Sequence, residues 1–474
     1  MKSRSPRSAK ASIKDAIGPS GLVPIVLPVF VAAVLLLGGS GRADTSSLIL
    51  LRPLAAIALA YGLVRLAQAP ERSGLRVPLL ALGALALLAA VQLIPLPPGI
   101  WTALPGREPI VAALATAGIE PGWQPISVVP MATLNSLGAL VVPLAVLALF
   151  ASANEEGRRR ALLVLAGFMA VSVALAMLQT VSPGSGLLYL YRVTNDGFPV
   201  GLFANRNHHA VMLAAMIPFV LALGERWAKE RGAGPLWVSR FAALVMVAIA
   251  VMTGSRAGSV LVIAAFAISA PMFADARIAA SGRFGELRRA RIAIAGLAVL
   301  FAGGLAALFA AGGGAAFERL ADKESFDDLR FQILPEVFAM IRDSLPLGWG
   351  FGTFPEVYEI YERREMIRPT YINHAHNDWI EIVTEGGLVA PLIVIGLAIW
   401  VIAKAWQNLP QLLRPRADAG RIRFAAFIAL GVLVAGSAFD YPLRTPAGAA
   451  AFVLFLGLLT APLRDNARAK SRAR

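Results

Sequence analysis

The sequence predicts an all-α protein that crosses a membrane many times. Hydrophobic residues make up 57% of the 474 residues and charged residues only 15%, and long apolar runs recur along the whole chain. An α-helix needs about 20 apolar residues to cross the hydrocarbon core of a bilayer. Because no water is available there, each run must satisfy its backbone hydrogen bonds internally, as a helix does. The runs lack the alternation typical of transmembrane β-strands, which excludes a β-barrel.

About twelve of these runs are candidate transmembrane helices. The first follows a basic N-terminal segment, Met1–Ser20, and we interpret it as a retained helix because no convincing cleavage site of small residues follows it. The predicted spans are residues 22–39, 46–64, 78–95, 133–151, 161–181, 208–223, 238–253, 257–273, 292–311, 379–403, 424–439 and 447–463.

The distribution of charge predicts the orientation. Of the 44 Lys and Arg residues, 30 fall in the segments that would share one side of the membrane with both termini, against 10 of the 29 acidic residues. The positive-inside rule places that side in the cytoplasm. The net charge of +15 is then a topology signal, and we expect membrane lipids and no nucleic acid as partners. The other side receives two long connections, 96–132 and 312–376, and the second, between the ninth and tenth spans, is long enough to suggest a function.

All four histidines fall in two short groups, His208-His209 and His374-Ala-His376. Each group lies at the outer end of a predicted span, so the two groups share one membrane depth. Histidine is the side chain best suited to proton transfer near neutral pH, and this clustering favours a functional role over simple helix capping. The chain contains no cysteine, which excludes disulfides, thiolate metal sites and a cysteine nucleophile.

A metal site is a second interpretation of the histidines. Imidazole and carboxylate ligands suit zinc or copper, and His208, His209 or Asp378 could complete a pair formed by His374 and His376. Nothing in the spacing is specific for a metal, however, and we predict neither a metal nor another cofactor.

Three carboxylates follow the second histidine group. Asp378, Glu381 and Glu385 share one face of a predicted helix, and we expect that face to meet a polar cavity or the outer water, since carboxylates facing lipid are costly. The spacing of Asp378 and Glu381 also resembles a capping box with Asp378 as the N-cap. A structural role for Asp378 therefore stands beside a catalytic one.

Arg206 and Arg256 lie at membrane depth, each at the outer end of a span. A planar guanidinium suits a phosphate or diphosphate, and the glycines on either side of Arg256 would let such a ligand approach the backbone closely. The alternative is that both arginines reach out to lipid headgroups at the interface.

The second outer connection has a pattern of its own. Residues 327–344 predict an amphipathic helix interrupted at Pro335, lying on the membrane surface or on the helix bundle. A glycine and aromatic turn at 347–354 follows, and then three tyrosines. Aromatic rings can stack on sugars, but they are also common at membrane interfaces.

These segments together resemble the O-antigen ligase and polymerase family of bacterial glycan-assembly proteins. The resemblance covers the middle region, 185–403, which includes the long outer loop. Residues 1–184 match the family only as a set of transmembrane helices. Residues 404–474 comprise the last transmembrane helices and a basic tail. The motifs that carry it are Gly201-x-Phe203-x-Asn205-x-Asn207-His208-x-Ala210, Ser255-Arg256-Ala257-Gly258, Arg330 with Gly348-x-Gly350-x-Gly352-x-Phe354, and His374-x-His376-Asn377-Asp378 followed by Glu381, Glu385 and Gly387.

The resemblance implies a glycosyltransferase of the bacterial inner membrane whose active site faces the periplasm. The donor would be a glycan linked to undecaprenyl diphosphate, and the acceptor a glycan, a lipid A-core or a protein, in O-antigen or exopolysaccharide assembly. Members of this family resemble metal-independent enzymes. Whether the chain is a polymerase or a ligase stays open.

The resemblance also implies roles for individual residues. His376 and His374 would be catalytic, with His376 activating or orienting the acceptor hydroxyl. The implied donor-binding residues are Arg206, Arg256, Arg330, Asn205 and Asn207. The implied supporting residues are His208, Asn377, Asp378 and Glu381.

Two other functions fit a protein with about twelve spans. The first is a transporter or flippase for a lipid-linked or anionic glycan, and the second is a non-catalytic scaffold of the cell envelope. A transporter would be expected to carry charged residues in the middle of its spans. Here the polar residues gather at the outer ends, which favours chemistry at the interface.

Overall fold

The computed structural model of the chain describes residues 19–68, 73–184, 186–281, 329–367, 371–413 and 418–461. These residues form helices and one short antiparallel ribbon, in which β1 (Pro95–Leu96) pairs with β2 (Gln124–Pro125). The helices are α1 Pro19–Leu37, α2 Leu48–Ala67, α3 Arg76–Val91, α4 Pro98–Trp101, α5 Glu108–Thr116, α6 Pro130–Ser152, α7 Glu155–Val181, α8 Arg206–Arg231, α9 Gly234–Met252, α10 Arg256–Ser281, α11 Leu329–Gln332, α12 Leu334–Ser344, α13 Phe354–Tyr361, α14 Asp378–Gly386, α15 Val389–Gln407, α16 Leu409–Leu413, α17 Asp418–Gly436 and α18 Pro446–Thr460.

The predicted class, an all-α membrane protein, is confirmed. Within the described ranges, seven helices are long and apolar enough to cross a membrane: α2, α6, α7, α8, α9, α15 and α17. Four shorter apolar helices coincide with further predicted spans: Pro24–Leu37, Arg76–Val91, Arg256–Ala270 and Pro446–Thr460. The predicted ninth span, 292–311, lies outside the described residues, as does the first part of the long outer loop. The total of twelve spans and the position of that loop therefore stay predictions.

Helix α8 forms the centre of the bundle. It packs against α9, α10 and α17, and 83% of its apolar segment is buried. At one end of the bundle Lys229, near the end of α8, pairs with Asp418 at the start of α17. At the other end Asn207, in the first turn of α8, contacts Asp440, just beyond α17. We call this second end the histidine end, because it also holds residues 371–377.

The two long connections pack together over the histidine end. Trp349 is 1% exposed, donates its indole N–H to the Met340 carbonyl, and lies under the guanidinium of Arg107 from the other connection. The Val128 N–H donates to the Trp349 carbonyl at 3.1 Å. The buried side chain of Gln92 donates to the Glu385 carbonyl and accepts from the Phe351 N–H. These contacts fix the glycine and aromatic turn against the membrane helices.

Two predicted helices have different bounds in the structure. The amphipathic helix is divided at Ile333 rather than at Pro335, because Pro335 lies in the first turn of α12, where its missing N–H is not needed. The predicted span 379–403 is two helices, α14 and α15. The chain turns at Gly387, whose φ of 60° is left-handed, and the Leu388 N–H donates to the Pro346 carbonyl at 2.9 Å.

The break at Gly387 predicts the effect of a substitution. In Gly387→Ala the new Cβ would collide with the Pro346 carbonyl, and the left-handed backbone alone costs about 1–2 kcal/mol for a non-glycine residue. We expect a clear fall in the thermal midpoint in detergent, measured by size-exclusion chromatography after heating. The matched control is Gly396→Ala in α15, where a Cβ meets nothing within 4 Å. Equal midpoints for both variants would show that the turn at Gly387 is not constrained as described.

Candidate active site at the histidine end

Residues from three distant parts of the chain meet at the histidine end. They are the first turn of α8, the loop that precedes α14, and the connector between α17 and α18, which we define as residues 437–445. Two hydrogen bonds to backbone carbonyls of the connector join it to the start of α14 and the residue before it. The Asp378 N–H donates to the Ser437 carbonyl at 2.8 Å, and the Asn377 side chain donates to the Ala438 carbonyl at 2.9 Å.

His376 and Asp440 form a histidine–carboxylate pair. The imidazole Nδ1 lies 3.0 Å from Asp440 Oδ1. Because an ionised carboxylate only accepts hydrogen bonds, this contact places the ring proton on Nδ1 and leaves Nε2 able to accept a proton. The His376 side chain is 27% exposed, so a substrate can reach it. Its backbone φ of 51° is left-handed, an unfavourable conformation for a residue with a Cβ that the surrounding contacts must maintain.

Asp440 is the central buried carboxylate of the site, with 2% of its surface exposed. Its Oδ2 accepts from Asn207 Nδ2 at 2.7 Å and lies 3.5 Å from Asn205 Nδ2 and 3.8 Å from His208 Nε2. Burial alone would raise the pKa of Asp440. The hydrogen bond from His376 and the nearby positive charges outweigh burial and hold that pKa well below its usual range.

His374 has a carboxylate partner of its own. Its Nδ1 lies 2.7 Å from Oε1 of Glu381, which is fully buried. Glu381 Oε2 accepts the Ala375 N–H at 2.9 Å. Each histidine of this loop is therefore oriented by a carboxylate. The carboxylate that orients His374 belongs to α14, and the one that orients His376 belongs to the connector.

Arg444 faces all three carboxylates of α14. Its guanidinium lies 3.2 Å from Asp378 Oδ1, 3.1 Å from Glu381 Oε1 and 3.1 Å from Glu385 Oε2. The expectation that this helix face avoids lipid agrees with these contacts, because the face meets a guanidinium. Although burial by itself lowers the pKa of Arg444, the three negative charges raise it above its ordinary value.

Tyr441 lies between the histidines. Its ring centroid is 4.9 Å from that of His208, 4.0 Å from that of His374 and 5.3 Å from that of His376. Burial, together with the negative charge of Asp440, raises the pKa of Tyr441 to about 12. The phenol is therefore neutral near pH 7, and it separates the three imidazoles without adding charge.

The N-cap of α14 is Asn377, not Asp378 as the sequence suggested. The Asn377 side chain accepts the backbone N–H groups of Trp379 and Ile380 at 3.0 and 3.1 Å. Asp378 is the first helical residue, and its carboxylate is directed to Arg444 instead. The predicted capping box fails because Glu381 bonds to the preceding loop rather than to the cap.

The two histidines of the first group differ: His208 lies in the candidate site, and His209 has a structural role. His208 is 2% exposed, and its ring nitrogens make no hydrogen bond to the described part of the chain. His209 points away from the site. Its Nδ1 lies 2.8 Å from the Pro199 carbonyl and its Nε2 lies 3.1 Å from the Ser172 hydroxyl.

The implied donor-binding residues have different surroundings. Asn205 and Asn207 direct their amides to Asp440, so their contacts do not support the implied role at the diphosphate. Arg330 donates to the Phe439 carbonyl at 2.9 Å, next to Asp440.

Arg206 and Arg256 are the first residues of two neighbouring helices. Arg206 opens α8 and lies over the ring of Phe198, and Arg256 is exposed at the start of α10. A Cβ on Gly258 would meet the Ala210 side chain, so the two helices approach closely within their first turns. Helix N-termini favour anions, which makes this part of the histidine end electropositive.

In the chain as far as it is described, no group of three or more His, Asp or Glu residues has an arrangement that could hold a metal ion. The Nδ1 atoms of His374 and His376 are both directed to carboxylates. His374 and His376 are thus each paired with a separate carboxylate.

Sequence reasoning missed Asp440, Tyr441 and Arg444. The available signal was their position: an acid, an aromatic residue and a base within a short connection between the last two apolar spans. Their partners in the loop and in α14 are 59–68 residues away, and those of Asp440 in α8 are more distant still, so the sequence alone could not pair them.

The family comparison covers part of this site. The sequence model of the O-antigen ligase family matches residues 241–395. The matched region contains most of α9, all of α10 to α14 and both histidines of the loop, whereas the start of α8 and the connector lie outside it. A comparison with curated proteins finds no match. Residues 241–395 of the chain are therefore similar to the O-antigen ligase family.

Proposed function

We propose that this protein is a membrane glycosyltransferase that moves or polymerises glycan from an undecaprenyl-diphosphate-linked donor at the periplasmic face. The observation that carries the proposal is the His376–Asp440 pair, placed beside Arg330 at the end of the bundle where α8 and α10 begin. A base next to several cations is what transfer from an anionic lipid diphosphate requires.

In the proposed reaction the acceptor hydroxyl gives its proton to His376 Nε2. Its oxygen attacks the anomeric carbon of the donor sugar, and the bond from that carbon to the diphosphate oxygen breaks. The electron pair leaves with the diphosphate. Asp440 stabilises the imidazolium that forms, and general-base catalysis of this kind typically contributes about 10²–10⁴-fold to the rate.

The cations act on the leaving group in this proposal. Undecaprenyl diphosphate gains negative charge as it departs, and Arg206, Arg256 and Arg330 would stabilise that charge, the electrostatic role that a metal ion plays elsewhere. Asn205 and Asn207 would instead orient Asp440, as their contacts indicate.

The charge distribution supports the periplasmic placement. The topology predicted from the sequence puts the basic segments on the side opposite the histidine end, and the positive-inside rule assigns that side to the cytoplasm. The site would then open at the outer leaflet, where a flipped lipid-linked donor lies. Aromatic residues of the two outer connections would line the approach of the glycan.

The first prediction separates a transferase from a transporter or flippase. Purified protein in nanodiscs, given a synthetic undecaprenyl-diphosphate oligosaccharide, should yield new glycan linkages detectable by mass spectrometry. A longer lipid-linked glycan indicates a polymerase, and a glycan moved to lipid A-core or protein indicates a ligase. If no product forms with any of these acceptors, the transferase proposal is wrong.

The second prediction concerns the base. His376→Ala and His376→Asn should both lose about 10²–10⁴-fold in turnover while the protein still inserts. Asparagine tolerates left-handed backbone better than alanine, so a loss common to both variants reflects the imidazole and not the conformation. Wild-type turnover in either variant would remove His376 from the mechanism.

The third prediction concerns the cations. Arg256→Gln and Arg330→Gln should each raise the donor KM and lower kcat, by about 10²-fold in kcat/KM if each contributes as one charge-stabilising group. The control is Arg342→Gln, whose side chain is 77% exposed and paired with its neighbour Asp343. Unchanged kinetics in both site variants would contradict the diphosphate assignment.

The fourth prediction concerns metal dependence. Because His374 and His376 are paired with carboxylates, we expect turnover to survive dialysis against EDTA. Loss of activity that zinc restores would instead support the metal interpretation of the histidines.

A further inference from the structure

We propose that Arg444 is a positioning residue for the transfer reaction: through Glu381 it holds the loop 374–377 so that His376 meets Asp440. This inference rests on the proposed function. It concerns a residue that lies outside the family-matched region and that touches neither catalytic histidine directly in any contact described above.

The first step is the contact between Arg444 and Glu381. Arg444 Nη1 lies 3.1 Å from Glu381 Oε1, and the same guanidinium reaches Asp378 and Glu385. The three carboxylates are at most 8% exposed. Ionised carboxylates so buried would repel one another without a cation between them, so Arg444 is what allows them to share one face of α14.

The second step runs from Glu381 to the loop. Glu381 Oε1 is hydrogen-bonded to His374 Nδ1, and Glu381 Oε2 accepts the Ala375 N–H. Ala375 directly precedes His376, whose left-handed backbone needs support from its surroundings. Because Glu381 holds the Ala375 N–H in place, it restrains the backbone before His376 and hence the direction in which the His376 side chain points.

The third step is the position of Arg444 in the connector. Asp440 accepts from His376, and Arg444 is the last residue of the short 3₁₀ helix Pro442–Arg444 that follows. A single short segment therefore provides the partner of His376 and, through Glu381, the anchor of the residues before it. Any shift of the connector changes both contacts together.

The two loop histidines consequently have different surroundings. Glu381 is in direct contact with the guanidinium of Arg444, whereas Asp440 is approached by histidine, two amides and the more distant Arg330. A carboxylate without a closely bound guanidinium stabilises an imidazolium better. We therefore assign proton acceptance to His376 and treat His374 as part of the support for the loop.

The experiment compares Arg444→Lys, Arg444→Gln and Glu381→Gln in the full-length protein in nanodiscs. Misplacing a reacting group by about 1 Å can lower the rate about 100-fold, so we expect Arg444→Gln to lose about that much in kcat. The donor KM should change by less than about twofold, because the cations that bind the diphosphate are elsewhere. Arg444→Lys keeps the charge and should recover part of the rate.

A compensated variant and a matched control separate positioning from folding. Arg444→Gln/Glu385→Gln removes one buried carboxyl group together with the cation, which should restore the folded yield but not kcat. Arg421→Gln removes another buried arginine, paired with Asp418 at the opposite end of the bundle, and should leave kcat and KM unchanged. A compensated variant that folds with wild-type kcat would overturn the inference.

Hydrogen–deuterium exchange tests the inference without any turnover. Residues 371–378 should exchange faster in Arg444→Gln/Glu385→Gln than in wild type, while α15 should be unchanged. Unchanged exchange in the loop would overturn the positioning role even in an active protein. Absence of product from wild type would overturn the proposed function alone, since the exchange comparison would still decide whether Arg444 holds the loop.

Discussion

The buried carboxylate of Asp440 is the group on which the arrangement of the histidine end depends. It accepts hydrogen bonds from His376 and Asn207 and lies near His208, so it joins the loop before α14 to the first turn of α8. A buried charge is tolerated only when it is paired and hydrogen-bonded. The need to satisfy Asp440 therefore holds together segments that no backbone ladder connects.

The requirement that buried charges be paired also applies to Arg444, one turn further along the connector. Arg444 meets three buried carboxylates of α14, and this excess of negative charge is tolerable because the guanidinium can serve several acceptors at once. One short connector thereby determines where both loop histidines point.

Much of this protein could be predicted from local sequence patterns. The helices of the membrane domain were predictable from apolar length, and the histidine groups and Arg330 were singled out by residue type and resemblance. The predicted span 379–403 proved to be two helices because Gly387 adopts a left-handed turn against Pro346, which is a tertiary contact. The N-cap of α14 was misassigned for the same reason: Asp378 had a more distant partner in Arg444.

The sequence by itself determined the class of the protein, and it predicted the depth of its polar groups and the division of charge between its two sides. These properties follow from composition along the chain, because apolar length and local charge act segment by segment. Only the tertiary structure decided which carboxylate serves which histidine, and that His209 is structural. Asp440 lies 64 residues from His376, and a pairing over that distance is set by how α17, α18 and α14 pack, which no local pattern records.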